Sequence, residues 1–201
     1  MIRQRLPQQL CGAALTQNTT VNLAVTGLMG ALVFVATFFL KIEIPVGGDR
    51  TMIGFANVFC ILSGLLLGPV YGGCAAGFGS FLFDVVGGWF SSAPVTLITK
   101  FFMAFFCGLI AHGGSKQENR HPTTTRLIVA AVVGSLSYCV MYLGYSLFKE
   151  VLAGSSFDAA LIVMYTKAGA TLLNAVIADV IAVPFYWALH RALHKGGLLK
   201  G

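Results

Sequence analysis

The sequence predicts an all-α integral membrane protein: a six-transmembrane-helix bundle with N- and C-termini cytoplasmic. Three observations carry this. Of 201 residues, 57% are hydrophobic and 10% charged, where a soluble domain holds about 45–50% apolar and about 25% charged residues. The apolar residues fall in runs of roughly 20, the length that crosses a hydrocarbon core. The charges, net +6, lie between those runs. Basic residues so placed report orientation and contact with anionic headgroups, whereas nucleic-acid binding calls for a basic stripe interleaved with aromatics. No Pro/Ser-rich linker divides the chain, so residues 1–201 read as one membrane domain.

The first helix is expected over Val21–Leu40, which carries no charge; it lacks a small-residue cleavage site and reads as a retained helix, not a signal peptide. Lys41–Thr51 follows as a polar loop with Pro45 and a Gly47-Gly48 turn. The uncharged stretch Thr51–Phe83 is too long for one pass. Gly68-Pro69 splits it, since proline removes a backbone donor and disfavours helix before it. The second helix is therefore placed near Met52–Leu67 and the third near Val70–Val86. An uncharged loop with Trp89 leads to a fourth helix, Pro94–Ala111, with proline in its first turn. After the polar segment His112–Thr125, a fifth helix runs over Arg126–Phe148. Lys149–Asp158 is a loop, and a long sixth helix spans Ala159–Leu193, with Pro184 as a kink site.

Six passes put both termini on one side. With that side cytoplasmic, it holds Arg3, Arg5, Lys116, Arg120, Arg126, Arg191, Lys195 and Lys200, against Lys41, Arg50 and Lys149 outside. This is the positive-inside pattern.

Four ionisable residues fall within the spans: Asp84, Lys100, Lys167 and Asp179. Each costs about 2.5–3.5 kcal/mol at a helix centre on insertion scales and so is expected to face protein or water. At 1.5 Å rise per residue, Lys100 and Lys167 lie roughly 10 Å below the outer surface, and Asp84 sits near it. Asp179 falls near the inner face. Lys167, Thr171 and Asn174 form one stripe on the sixth helix, Thr96, Lys100 and Met103 another on the fourth. Tyr138, Tyr142 and Tyr145 share a face of the fifth. Aromatic walls with a few fixed polar groups make a small-molecule pocket, to which Trp89 and Asp84 are added. Two alternatives stay open. Lys100 and Asp84 can neutralise each other as a buried pair, and a tyrosine stripe can be packing or interfacial belt. Two lysines at matched depth with one acid leave a surplus positive charge.

Other features point away from other functions. The five cysteines are scattered without a CxxC and read as small buried hydrophobes. His190 and His194 are four apart but lack the Glu of H-E-x-x-H, and read as headgroup-facing; no metal site is expected. The sequon at Asn18 lies on the expected cytoplasmic side. With no phosphate-binding loop, the chain is not an ATPase. Small residues four apart, Gly27/Ala31 and Gly73/Gly77, permit close helix approach, and for Gly73/Gly77 the expected role is internal packing.

Three segments, ALVFVATFFLKIEIP (Ala31–Pro45), LLLGPVYGGCAAGFGSFLFDVVGG (Leu65–Gly88) and APVTLITKFFMAFFCGLIA (Ala93–Ala111), resemble the S components of energy-coupling-factor (ECF) importers, in particular the riboflavin-type group. The likeness runs from Val21 to about Leu193. It implies a non-enzymatic subunit that binds a vitamin or precursor from outside, then docks on a transmembrane coupling subunit driven by two cytoplasmic ATPases. It implies no cofactor in this chain, ATP being used by the partners, and a place in a prokaryotic cell membrane. The family's Ala-x-x-x-Ala docking motif corresponds to Gly27–Ala31, with glycine for the first alanine. Family ligand contacts come from the first outer loop and the outer parts of helices four to six, where Lys41–Thr51, Lys100, the tyrosines and Lys167–Asn174 lie.

The surplus lysine charge favours a carboxylate-bearing vitamin, pantothenate first, with pyridoxine, a hydroxymethylpyrimidine or riboflavin as alternatives for the aromatic walls. The rival class is a multi-pass membrane enzyme, which needs a nucleophile–base pair or a metal cluster at membrane depth.

Overall fold

In the computed structural model, residues 19–46, 49–113, 123–152, 154 and 157–195 are described, without the side chains of 19, 43–51, 157–160 and 192–195. Cys11, the Asn18 sequon, the Gly47-Gly48 turn, the basic residues Arg3, Arg5, Lys116, Arg120 and Lys200, and the side chains of Arg50, His194 and Lys195 lie outside this set.

The elements are α1 (Thr19–Phe39), a hairpin of β1 (Lys41–Val46) and β2 (Asp49–Gly54), then α2 (Ala56–Val86), α3 (Ala93–His112), α4 (Thr124–Leu152) and α5 (Phe157–Lys195). Each of the five helices is long and apolar enough to cross a membrane. The most apolar window of α2 is 78% buried against 33% for α1, α4 and α5, so α2 is the central element.

That central element is two helical arms. Gly68 has φ 80° and ψ −174°, a backbone open essentially to glycine, with Pro69 next. Ser63 Oγ donates to Gly72 O at 3.0 Å, and Cys60 Sγ lies 3.9 Å from Ser80 Oγ, twenty residues along. A straight helix would separate that pair by about 30 Å. The chain therefore folds back at the Gly68-Pro69 pair singled out from sequence, and the arms lie antiparallel.

Close backbone approach holds the neighbours to this hairpin of helices. A Cβ on Gly64 would stand 2.4 Å from Ala104 O of α3, and one on Gly79 2.4 Å from Gly30 O of α1. Gly73 and Gly77 meet Phe101 of α3, the internal packing expected of them. Small residues earn such contact by dispersion alone, because lipid tails offer apolar side chains as good a solvent as protein does. On α1 the buried face is Asn22, Thr26, Met29, Val33 and Ala36, while Leu23, Leu28, Leu32 and Val35 are exposed, as a lipid-facing stripe would be. Thr26 and Thr37 bond the carbonyls of Asn22 and Val33, which satisfies their hydroxyls within the helix.

Two sequence expectations are corrected. Met52 is in β2, paired opposite Glu43, and the helix begins at Ala56. Lys41–Val46 and Asp49–Thr51, expected in a loop, belong to a six-pair antiparallel ladder, Lys41↔Gly54 to Val46↔Asp49. Backbone groups near a membrane surface gain more from pairing with each other than from an irregular path. The fifth predicted helix also runs further, to Leu152, and Lys149 stands on it.

Candidate functional site

The hairpin marks one end of the bundle, and a cavity opens there, with about 1080 Å³ of space between atoms, its mouth included. Its walls come from the end of α1, the hairpin, both ends of α2, the start of α3, the second half of α4 and the first half of α5. That all these segments meet at one end requires successive helical arms to alternate in direction. All ten residues predicted for the pocket line it: Asp84, Trp89, Thr96, Lys100, Tyr138, Tyr142, Tyr145, Lys167, Thr171 and Asn174.

Lys100 is 7% exposed and Asp84 3%, both deep in the wall. Pro94 in the first turn of α3 starts the helix and the register that carries Thr96 and Lys100 to the cavity. Lys100 Nζ donates to Asn57 Oδ1 and stands 4.1 Å from the centroid of the Tyr138 ring, a cation–π contact. Asp84 lies within electrostatic reach of Thr96, Lys100 and Lys41. Lys41 in turn lies 4.4 Å over the Phe83 ring. The direct partners of Lys100 are thus an amide and a ring, and Asp84 acts as a shared counter-charge. Trp89 is brought to the mouth by a tight turn, in which its N–H donates to Asp84 O at 2.7 Å and Gly88 takes φ 79°. Met103, on the same stripe as Lys100, is buried core instead.

Across the cavity, Tyr138 and Tyr142 stack with centroids 5.6 Å apart. Lys167, 1% exposed, donates to Ser146 Oγ at 3.0 Å. Thr171 Oγ1 bonds Lys167 O within the helix. Asn174 reaches the hairpin: its Oδ1 accepts from Gly54 N–H at 2.9 Å and its Nδ2 donates to Met52 O at 2.6 Å. The amide thereby occupies the outer edge of β2 as a neighbouring strand would, and ties the mouth of the cavity to α5.

Sequence reasoning missed Asn57, Ser146 and Lys149, which also line the cavity, and read Lys41 only as part of the outer loop. Ser146 and Lys149 continue the Tyr138–Tyr142 stripe at i+4 and i+7 from Tyr142. Ending that helix at Phe148 hid the stripe's last turn. Asp179 lies away from the cavity and accepts from Ser135 Oγ at 2.7 Å. His190 is not headgroup-facing: it is 9% exposed and packed on Tyr186 and Trp187, with ring centroids 5.7 and 6.3 Å away. At the far end His112 Nε2 meets Leu65 O at 2.9 Å and Arg126 Nε donates to Ile110 O at 2.7 Å, serving carbonyls near helix ends. Among the described residues no three His, Cys, Asp or Glu side chains come together as a metal site would need.

The comparison with known families decides the class. A family model described as "ECF-type riboflavin transporter, S component" matches residues 17–191. The chain belongs to that family. A solved structure described as "Structure and mechanism of the S component of a bacterial ECF transporter" has the same fold, with TM-score 0.63 over 88% of this chain and 99% of that one, at 19% identity. A Pyrococcus woesei relative described as "Uncharacterized protein in gap 3'region" is 32% identical over 115 residues, 57% of this chain and 70% of its own length. The chain is thus an S component, a multi-pass membrane protein of a family of transporter subunits.

Proposed function

We propose that this S component captures an anionic vitamin from the outer side of a prokaryotic cell membrane, with pantothenate the leading candidate. The observation that carries this is the charge of the cavity wall. Among the described residues, Lys41, Lys100, Lys149 and Lys167 line it against a single carboxylate, Asp84. Ammonium groups taken out of water are costly unless a counter-charge arrives, and a carboxylate ligand supplies one. The six helical arms cross the membrane with both termini inside, an orientation supported by the basic residues of the sequence. The hairpin and the cavity mouth then face outward. The chain works without a cofactor of its own. It docks through Gly27 and Ala31 of α1 on a coupling subunit powered by two cytoplasmic ATPases, as its family implies.

A flat, uncharged ring is the second reading, riboflavin above pyridoxine or a hydroxymethylpyrimidine. It is favoured by the description of the matching family and by the stacked pair Tyr138–Tyr142 beside Trp89. Calorimetric titration of the purified chain with pantothenate, riboflavin and pyridoxine separates the two. Saturable heat is expected with pantothenate. Heat with riboflavin or pyridoxine and none with pantothenate would move the assignment to the second reading.

A further inference from the structure

The hairpin beside the cavity has two unlike faces, and they are the reverse of what a water-covered hairpin shows. Side chains alternate along a strand, and residues directly opposite each other on paired strands share a face. Lys41 and Met52 line the cavity. Ile42 and Ile53, paired opposite each other, turn the other way and line a separate groove with Phe39, Leu40, Phe55 and Ile177. Ile42 is 68% exposed and Phe39 75%. An antiparallel pair with one face in water carries apolar side chains inward and polar ones outward. Here a lysine is turned in and the isoleucines are turned out.

The backbone at this end fits the same surroundings. Asn174 occupies Gly54 N–H and Met52 O, and Phe55 N–H donates to Leu40 O at 3.1 Å. Polar backbone beside hydrocarbon must be satisfied from within the protein, a demand that water removes. The groove is also continuous with apolar surface that lipid covers. On α1 the exposed Phe38 packs on Phe39, with ring centroids 5.2 Å apart, and on α5 the exposed Leu173 stands one turn before Ile177.

We propose that this groove holds an acyl chain of a phospholipid from the leaflet at the hairpin end, so that the hairpin is bedded in lipid on one face and walls the cavity with the other. The methylenes lie between the Ile42–Ile53 pair and Ile177, against the rings of Phe39 and Phe55. Ile177 follows Asn174 by three residues on α5, so the acyl chain and the amide brace β2 at adjacent points. Lipid is the occupant because the groove opens onto surfaces that hydrocarbon already covers. The docking position Gly27 lies a dozen residues from Phe39, about 18 Å along α1, and is separate from it.

Two measurements on the full chain test this. For the first, Ile42→Trp is made in a Trp89→Phe, Trp187→Phe background, which removes both native tryptophans. Position 42 is exposed, so the new ring displaces nothing in the bundle. In phosphatidylcholine bilayers, acyl chains brominated near the headgroup are expected to quench its emission more than aqueous iodide does. Stronger quenching by iodide puts this face of the hairpin in water and overturns the proposal. For the second, native mass spectrometry of the chain extracted in mild detergent compares retained phospholipid in the parent and in Ile177→Trp, whose ring fills the groove. Lost contact with about two methylenes lowers occupancy about tenfold. The parent is expected to retain phospholipid and the variant about a tenth as much. Equal retention means that the lipid does not lie in the groove, and overturns the proposal as well. Size-exclusion profiles establish that Ile177→Trp is folded. Should it not be, Phe55→Asp takes its place, since it sets a charge on the groove wall at an exposed helix N-cap, where aspartate is favourable.

Discussion

Tryptophan at Gly27 is expected to abolish vitamin uptake by the assembled importer while the isolated chain still binds its ligand at the parent's affinity. A Cβ at Gly27 would meet nothing within 4 Å, and the flanking Leu23, Leu28 and Leu32 are exposed. The opposite face of α1 is the one that packs on α2, through Met29 and Val33. A large ring at Gly27 or at the exposed Ala31 therefore displaces nothing in the bundle. It is felt only by a helix that approaches from outside, where small-xxx-small faces give their contact energy through backbone proximity. Losing about 3 kcal/mol of docking corresponds to roughly a hundredfold fall in complex formation. Uptake in vesicles containing the coupling subunit and both ATPases, beside calorimetry on the same variant alone, measures the two effects. Full uptake by a Gly27→Trp/Ala31→Trp double variant would mean that α1 is not the docking helix.

Leucine at Gly72 is expected to destroy the fold, and leucine at Gly144 to be silent. The Cβ of a residue at Gly72 would stand 2.5 Å from Ser63 O, 2.7 Å from Gly64 Cα and 2.8 Å from Gly64 N. All three are backbone atoms of the facing arm, so no side-chain rotation relieves the clash and the arms must part. Ordinary overpacking costs about 1–3 kcal/mol, and forced backbone separation exceeds it. Parting the arms also breaks the Ser63–Gly72 bond and moves Asn57 and Asp84, which sit on different arms, relative to each other. Gly144 has nothing within 4 Å of its Cβ position, so a change there stays within about 0.5 kcal/mol. Size-exclusion profiles and thermal unfolding in detergent compare the pair. Equal stability of Gly72→Leu and Gly144→Leu would contradict the antiparallel arrangement of the arms.

What the sequence made legible was set by local chemistry. Uncharged runs located the spans, because a charge in lipid is costly wherever it falls. Gly68-Pro69 located the reversal, because its conformational effect needs no distant partner. The pocket was legible through the same rule, since Lys100, Lys167 and Asp84 had to face something other than lipid, and their helical neighbours came with them. What stayed hidden depended on distant contacts or on helix ends. Met52-Ile53-Gly54 continues an apolar run and is indistinguishable from helix by pattern. It is made a strand by pairing with Lys41–Glu43 and by an amide 120 residues from Gly54, Asn174. Lys149-Glu150 reads as a loop by charge, yet both are good helix formers, and at this end of α4 the Lys149 side chain meets the cavity. His190 looked like a headgroup residue because it sits in the basic end of the last helix, while its ring is packed on Tyr186 one turn back.

Mass spectrometry of the small molecules released from the chain purified in mild detergent tests the central claim most directly. Four lysines around one carboxylate, among the described residues, predict a water-soluble anion of vitamin size, near one per chain, and a much reduced amount from Lys167→Met. An uncharged ring compound recovered at the same stoichiometry from both proteins would contradict it.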